Sequence, residues 1–332
     1  AQPPPEVAGP ACAGHREPAP SRREPLVSRP TIGFVGLGNM GSPMCRRLVE
    51  AGCDVTAFDL RSEALDVAVT GGARRGESAA DVAGATDLFL TSLPEPPHVE
   101  QVMRDAGALA ALRPGSMWID LTTNRRELVE ELAVEAADGV AVVDSPVTGA
   151  VDGARTGRLT LFAGGDPEVL SRAVPVLSKL GRVIECGPLG TGNVVKLVTN
   201  QLWFVHAAAI GEGFALGMAN GVGLDVLYDA ICDSVGDSFV ARHDGPSIFA
   251  GHYDPSFSLA LCLKDLGLLD ELSGAVGAGL PMTEAAHGVF ADAGERYGTD
   301  VGELHVAKRL EDDTGLSFRL DGSWTPPWDV VD

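Results

Sequence analysis

Apolar positions along the chain change their spacing near residue 190, and that change divides the molecule. Before it, short runs rich in β-branched and apolar residues recur: TIGFV (31–35), DVTAFDL (54–60), DLFLTSL (87–93), SMWID (116–120) and VAVVDSP (140–146). Stretches rich in Ala, Glu and Leu separate these runs. Strands alternating with helices make βαβ units, and such units assemble into a parallel sheet covered on both faces. LTLFAGG (159–165) and RVIECG (182–187) read as later strands that extend the sheet. Beyond residue 190 the strand signals stop, and helical segments follow over 193–219, 224–233, 258–274, 281–297 and 302–312. The pattern predicts a doubly wound α/β domain over 30–190 and an all-α domain over 191–315, joined by one long helix. Residues 1–29 are rich in Pro, Ala and Arg, with no hydrophobic period and no apolar core of a signal peptide, so a disordered extension is expected. Residues 316–332 are expected to form an irregular tail.

Composition narrows what such a fold can do. A chain of 332 residues is long enough for two sizeable cores. The formal net charge of −21 argues against a nucleic-acid partner, which needs a basic face, and against docking on anionic lipid. An anionic ligand must then be held by a local constellation rather than drawn in by the field of the whole protein. The six cysteines (12, 45, 53, 186, 232, 262) show no C-x-x-C pair and no metal-like spacing with histidine. Free thiols in a reducing, cytoplasmic setting follow, and no metal site. No apolar run is expected to cross a membrane, since small and charged residues interrupt every candidate.

The clearest chemistry lies in GFVGLGNMG, which carries G-x-G-x-x-G as Gly36, Gly38 and Gly41 directly after a strand and at the start of a helix. Gly36 permits the tight turn, Gly38 lets the backbone approach a pyrophosphate, and Gly41 allows close packing of helix on strand. Asn39 and Met40 complete the turn, and the helix N-terminus faces the phosphates with free N–H groups. Asp59 ends the second strand, 21 residues after Gly38, where a carboxylate accepts from ribose hydroxyls. That favours NAD. Arg61, two residues on, keeps NADP open as the alternative, unless it is merely a solvated residue of the next helix. Leu93-Pro94 and Thr122-Thr123 sit at the carboxyl ends of strands, where ligands of such sheets collect, although loop capping also accounts for them.

Three later segments bear on what is reduced. In DSPVTGAVDGARTGRLTLFAGG (144–165), Thr148, Gly149 and Ala150 offer a hydroxyl and successive N–H groups able to hold a carboxylate, or else form an ordinary loop. In GNVVKLVTNQ, Lys196 and Asn200 are four apart and share a helical face. Work as a base near neutrality requires a lysine pKa several units below about 10.4, and apolar neighbours Val194, Val195, Leu197 and Val198 would supply the desolvation. Asn200 can orient a substrate hydroxyl or carboxylate while leaving proton transfer to the lysine. In LCLKDLGLLDEL (261–272), Lys264-Asp265 interrupts an apolar helix, with a surface ion pair as the alternative.

Taken in order and spacing, GFVGLGNMGSPM, DSPVTGAVDGARTGRLTLFAGG, GTGNVVKLVTNQ and LKDLGLLD closely resemble the β-hydroxyacid dehydrogenase family, from about residue 31 to 312. The resemblance implies an N-terminal Rossmann domain, a helical C-terminal domain hinged by one long helix, and a homodimer or homotetramer. It further implies Lys196 as catalytic lysine, Asn200 as its substrate-binding companion and Lys264 as the cofactor-side lysine. The reaction implied is reversible NAD(P)-dependent oxidation of a small 3-hydroxy acid, a small carboxylate substrate, to its semialdehyde or keto form. Where the family usually has Ser-Gly-Gly, this chain has Thr148-Gly149-Ala150, and the two extra methyl groups narrow the pocket or restrict the turn. The rival readings are an imine reductase, which typically lacks the lysine at this position, and a non-catalytic cofactor-binding scaffold.

Overall fold

The computed structural model describes residues 30–322. The expectations for residues 1–29 and for the end of the tail, 323–332, lie outside the described residues. Nine strands form one sheet: β1 (Ile32–Val35), β2 (Val55–Phe58), β3 (Arg74–Arg75), β4 (Leu88–Thr91), β5 (Met117–Asp120), β6 (Ala141–Asp144), β7 (Val147–Thr148), β8 (Leu159–Gly164) and β9 (Gly181–Gly187). Their order is β3-β2-β1-β4-β5-β6-β8-β7, with β9 beside β8. The first six run parallel, and β1, β4 and β5 are buried along their whole length. Successive side chains of a strand point to opposite faces, so each central strand feeds two layers. Phe34, Leu88, Leu90, Met117 and Ile119 pack on one side with Met44 and Leu48. Val35, Phe89 and Trp118 pack on the other with Val99, Met103 and Leu128.

Two strands depart from the all-parallel expectation: β8 runs antiparallel to both β6 and β7, and β9, parallel to β8, is reversed with it. The helix between β7 and β8, Ala150–Thr156, has seven residues and ends at Gly157, whose φ of 70° turns the chain back. Seven residues rise only about 10 Å, short of the roughly 20 Å of a six-residue strand, so this helix cannot return the chain to a parallel start. The two-residue strands β3 and β7 gave no readable period in the sequence.

The helical domain is built on one helix, Thr191–Ala219, of 29 residues. It spans about 44 Å. Its buried face, including Leu197, Phe204, Ala207, Ile210 and Phe214, is the spine of a core completed by Leu259, Cys262, Leu266, Phe290 and Phe318. By length and composition alone this helix could cross a membrane, which corrects the expectation that no run would qualify. Its apolar residues answer to a core: they meet the helices Leu259–Val276, Pro281–Tyr297 and His305–Thr314. Residues 316–322 are irregular, yet Phe318 is fully buried against Phe214 and anchors them.

Candidate active site

The glycine turn after β1 has the shape a dinucleotide requires. Gly36 sits at φ 95°, and a side chain there would collide with the carbonyl of Ser92. A side chain at Gly41 would collide with the carbonyl of Gly36, whereas space beside Gly38 is open within 4 Å. Gly38, Asn39 and Met40 lead into the helix Gly41–Glu50, whose first turn holds no acidic residue, as suits an anion. At the end of β2, Asp59 Oδ2 accepts from the Leu37 amide at 2.6 Å, inside this same turn. Asp59 Oδ1 accepts from the Arg61 amide at 2.8 Å and from Arg61 Nε at 3.2 Å, while Arg61 Nη2 donates to the Leu37 carbonyl at 3.0 Å. Burial works against ionisation of Asp59, but the bonds from Arg61 and Leu37 outweigh it and hold its carboxyl below the usual range. The turn and the carboxylate beside it fit a dinucleotide.

Across the cleft, the long helix contributes Lys196 and Asn200 one turn apart. Both are buried, 8% and 5% exposed, and Lys196 Nζ donates to Asn200 Oδ1 at 3.0 Å. Asn200 Nδ2 donates to Asp265 Oδ2 at 2.7 Å, and Asp265 Oδ1 lies 2.8 Å from Lys264 Nζ. Lys264 in turn reaches the carbonyls of Pro94 at 3.3 Å and Thr123 at 3.4 Å. One chain of polar contacts therefore joins the lysine of the long helix to the loops after β4 and β5. The Lys264–Asp265 pair is an ion pair in the cleft and not on the surface, for Asp265 is only 1% exposed. Burial lowers the Lys196 pKa to about 8; Asp265 opposes the shift and Lys264 adds to it.

The loops are fixed to each other as well, since the Leu93 amide donates to Thr122 Oγ1 at 3.0 Å. Thr148, Gly149 and Ala150 follow β6 by four residues, with Thr148 in β7 and Ala150 opening the short helix. Gly149 has φ 121° and Ala150 φ 55°, so the alanine occupies the left-handed region that favours glycine. The structure thus joins Lys196, Asn200, Lys264, Pro94 and Thr123 by direct bonds, and sets the 148–150 turn separately on the edge of the sheet. Sequence reasoning missed Asp265 as the hub, because nothing local shows that its two oxygens serve two different lysine-bearing chains. It also missed the buried acids Asp120 and Asp144 at the ends of β5 and β6.

Two family descriptions match the chain: the NAD binding domain of 6-phosphogluconate dehydrogenase over residues 31–190, and the NAD-binding domain of NADP-dependent 3-hydroxyisobutyrate dehydrogenase over 190–310. NAD-dependent L-serine dehydrogenase of Pseudomonas aeruginosa is 34% identical over 269 residues, 78% of this chain and 90% of its own length. The solved 3-hydroxyisobutyrate dehydrogenase of Mycobacterium tuberculosis, with L-serine, superposes with a TM-score of 0.78 at 33% identity, covering 85% of this chain and 99% of that one. An imine reductase from a Pseudomonas species shares the fold at 19% identity and a TM-score of 0.56, covering 85% and 99% of the two chains. Fold and site together define a two-domain, NAD(P)-dependent oxidoreductase. Within that class the chain belongs to the β-hydroxyacid dehydrogenase family, whose members interconvert hydroxy acids and their carbonyl forms.

Proposed function

We propose that the protein interconverts a small 3-hydroxy acid and its semialdehyde or keto form, with Lys196 as general acid and base. The observation that carries this reading is a buried lysine with a pKa near 8, fixed by Asn200 at 3.0 Å. A pKa close to the working pH lets one group both take and return a proton. A nicotinamide cofactor, held by the residues named below, would provide the hydride-transfer chemistry. In oxidation neutral Lys196 takes the hydroxyl proton; in reduction the ammonium returns it. Asn200 donates an amide hydrogen to Asp265 and accepts through its oxygen from Lys196, so it holds the lysine in place and presents a neutral group to substrate. Thr148 supplies a hydroxyl, and the backbone at Gly149 and Ala150 supplies N–H groups for the substrate carboxylate.

Gly36, Gly38, Asn39, Met40 and Gly41 hold the pyrophosphate, Asp59 the ribose, and Leu93, Pro94, Thr123 and Lys264 the nicotinamide side. NAD is the preferred cofactor: Asp59 faces the ribose position, and the Arg61 guanidinium is already engaged by Asp59 and the Leu37 carbonyl rather than free for a 2′-phosphate. The protein works as a homo-oligomer in the cytoplasm. Exposed Val198, Leu202 and Leu216 on the long helix support the first part, and the free thiols Cys45, Cys186, Cys232 and Cys262 support the second.

Lys196→Ala is expected to leave NADH binding, followed by nicotinamide fluorescence, within about twofold while lowering kcat by at least a hundredfold. L-serine and 3-hydroxyisobutyrate, each with NAD and NADP, form the assay panel. Retained turnover sinks the role of the lysine, and a higher kcat/KM with NADP sinks that of Asp59.

A further inference from the structure

The two buried acids at the ends of β5 and β6 take no part in this chemistry, yet they hold the helix that performs it. Asp144 closes β6 and is fully buried. Its Oδ1 accepts from the Gly190 amide at 2.7 Å, and its Oδ2 from the Asn193 amide at 2.7 Å and Asn193 Nδ2 at 3.1 Å. These amides open the long helix, whose own cap residue, Gly190, has no side chain to offer. Glycine makes the room: a side chain at Gly192 would stand 2.8 Å from Asp144 Oδ2, and one at Gly164 would collide with Oδ1.

From there the contacts run back through the sheet. Asn193 Oδ1 accepts from the Asn124 amide at 2.8 Å, and Asn124 Nδ2 donates to Asp120 Oδ2 at 2.9 Å. Asp120 Oδ1 accepts from Thr91 Oγ1 at 2.8 Å and from the Thr122 amide at 3.1 Å. The ends of β4, β5 and β6 are thereby registered to the first turn of the helix, three residues ahead of Lys196.

We propose that Asp144 is a positioning residue for Lys196, its carboxylate pinning the first turn of the catalytic helix and releasing that turn when it takes up a proton. The inference rests on the role given to Lys196 above. Both Asp144 oxygens face N–H donors, so a proton on either one confronts a donor and breaks a bond. Burial raises the Asp144 pKa to about 6 against the pull of the Asn193 and Gly190 amides, and Asp120 on β5 adds to the rise. The other ionisable groups facing it are Arg126, on the helix Arg126–Glu135, and Cys186 on β9. Because folding raises this pKa, protonating Asp144 does not itself cost global stability; the loosening is local to the helix start. Reduction, which uses protonated Lys196, then fails on two sides: above about 8 as the lysine loses its proton, and below about 6 as Asp144 gains one.

The test has two readouts. Amide exchange over residues 188–197 of the cofactor-free protein, corrected for intrinsic rates, is expected to lose protection about tenfold between pH 7 and pH 5. Asp144→Asn is expected to show low protection at both values. In the reduction of 2-methyl-3-oxopropanoate, the aldehyde of 3-hydroxyisobutyrate, Asp144→Asn should lose the acid limb of kcat and keep the alkaline one. Asn193→Ala retains the backbone bonds to Asp144 and should keep both limbs, with kcat reduced about tenfold at unchanged KM. An acid limb that persists in Asp144→Asn, or wild-type protection equal at pH 5 and pH 7, overturns the assignment. The wild-type exchange comparison decides the matter even if the variant does not fold. A wild-type alkaline limb that is missing counts instead against Lys196, and leaves the exchange result standing.

Discussion

Lys196 is costly to the fold, and the cost has a sign that can be measured. Folding lowers its pKa from 10.5 to about 8, so between those values the unfolded chain binds more protons than the native one. Stability therefore rises with pH across that window, and below about 8 the full penalty of burying the ammonium remains. Lys196→Met is expected to be more stable than wild type at pH 7 by about 1–3 kcal/mol, since each pKa unit is worth about 1.4 kcal/mol and Asn200 loses a donor. The gap should close as pH approaches 10. Urea denaturation at both pH values checks it, and a variant less stable than wild type at pH 7 contradicts the burial argument. The lysine and Asn200 were legible in the sequence because four-residue spacing brings them together within one helix. Asp265 was not, for it bonds Asn200 across 65 positions, and no local pattern reports a partner that distant.

At the scale of elements, the longer strands and the parallel run of β1 to β6 were legible, and the reversal of β8 and β9 was not. An apolar run such as LTLFAGG has the same two-residue period whether it runs parallel or antiparallel, so the reversal of β8 depends on the short helix before it. The glycine turn after β1 was legible for the opposite reason: its geometry is made by adjacent residues. The turn at Thr148-Gly149-Ala150 lies between these cases. Its sequence showed two extra methyl groups, and the structure adds that Ala150, which bears one of them, holds φ 55°. An L-residue in the left-handed region is strained by roughly 1 kcal/mol, and glycine removes that strain at some entropic cost. Ala150→Gly is expected to stabilise the protein by up to about 1 kcal/mol and to admit bulkier hydroxy acids, shown by a lower KM for a substrate carrying one more methyl group. Thermal unfolding and a substrate series read the two effects, and a less stable variant refutes the strain.

For the whole molecule, the long helix has an outer face as well as a buried one. Val198, Leu202 and Leu216 are 44%, 56% and 70% exposed on the face of the helix turned away from the core. Apolar side chains in such a row need cover, and a second copy of the chain provides it in the proposed oligomer. Leu202→Glu is expected to shift the protein toward the monomer in sedimentation velocity, with the fold retained by circular dichroism. A wild-type monomer, or an oligomer indifferent to the substitution, rules this face out.

The division near residue 190 falls at the root of this helix and not in a loose linker. Any spreading of the two domains must therefore be absorbed close to Lys196, and spreading lets water in. Wetting restores the ammonium, because burial is the largest cause of its depressed basicity. In the role proposed for Lys196, this would make the lysine a gauge of closure. A gaping cleft would solvate it and disable it as a base; a cleft shut on its ligands would make the same atom one. Solvent exclusion would then time the chemistry.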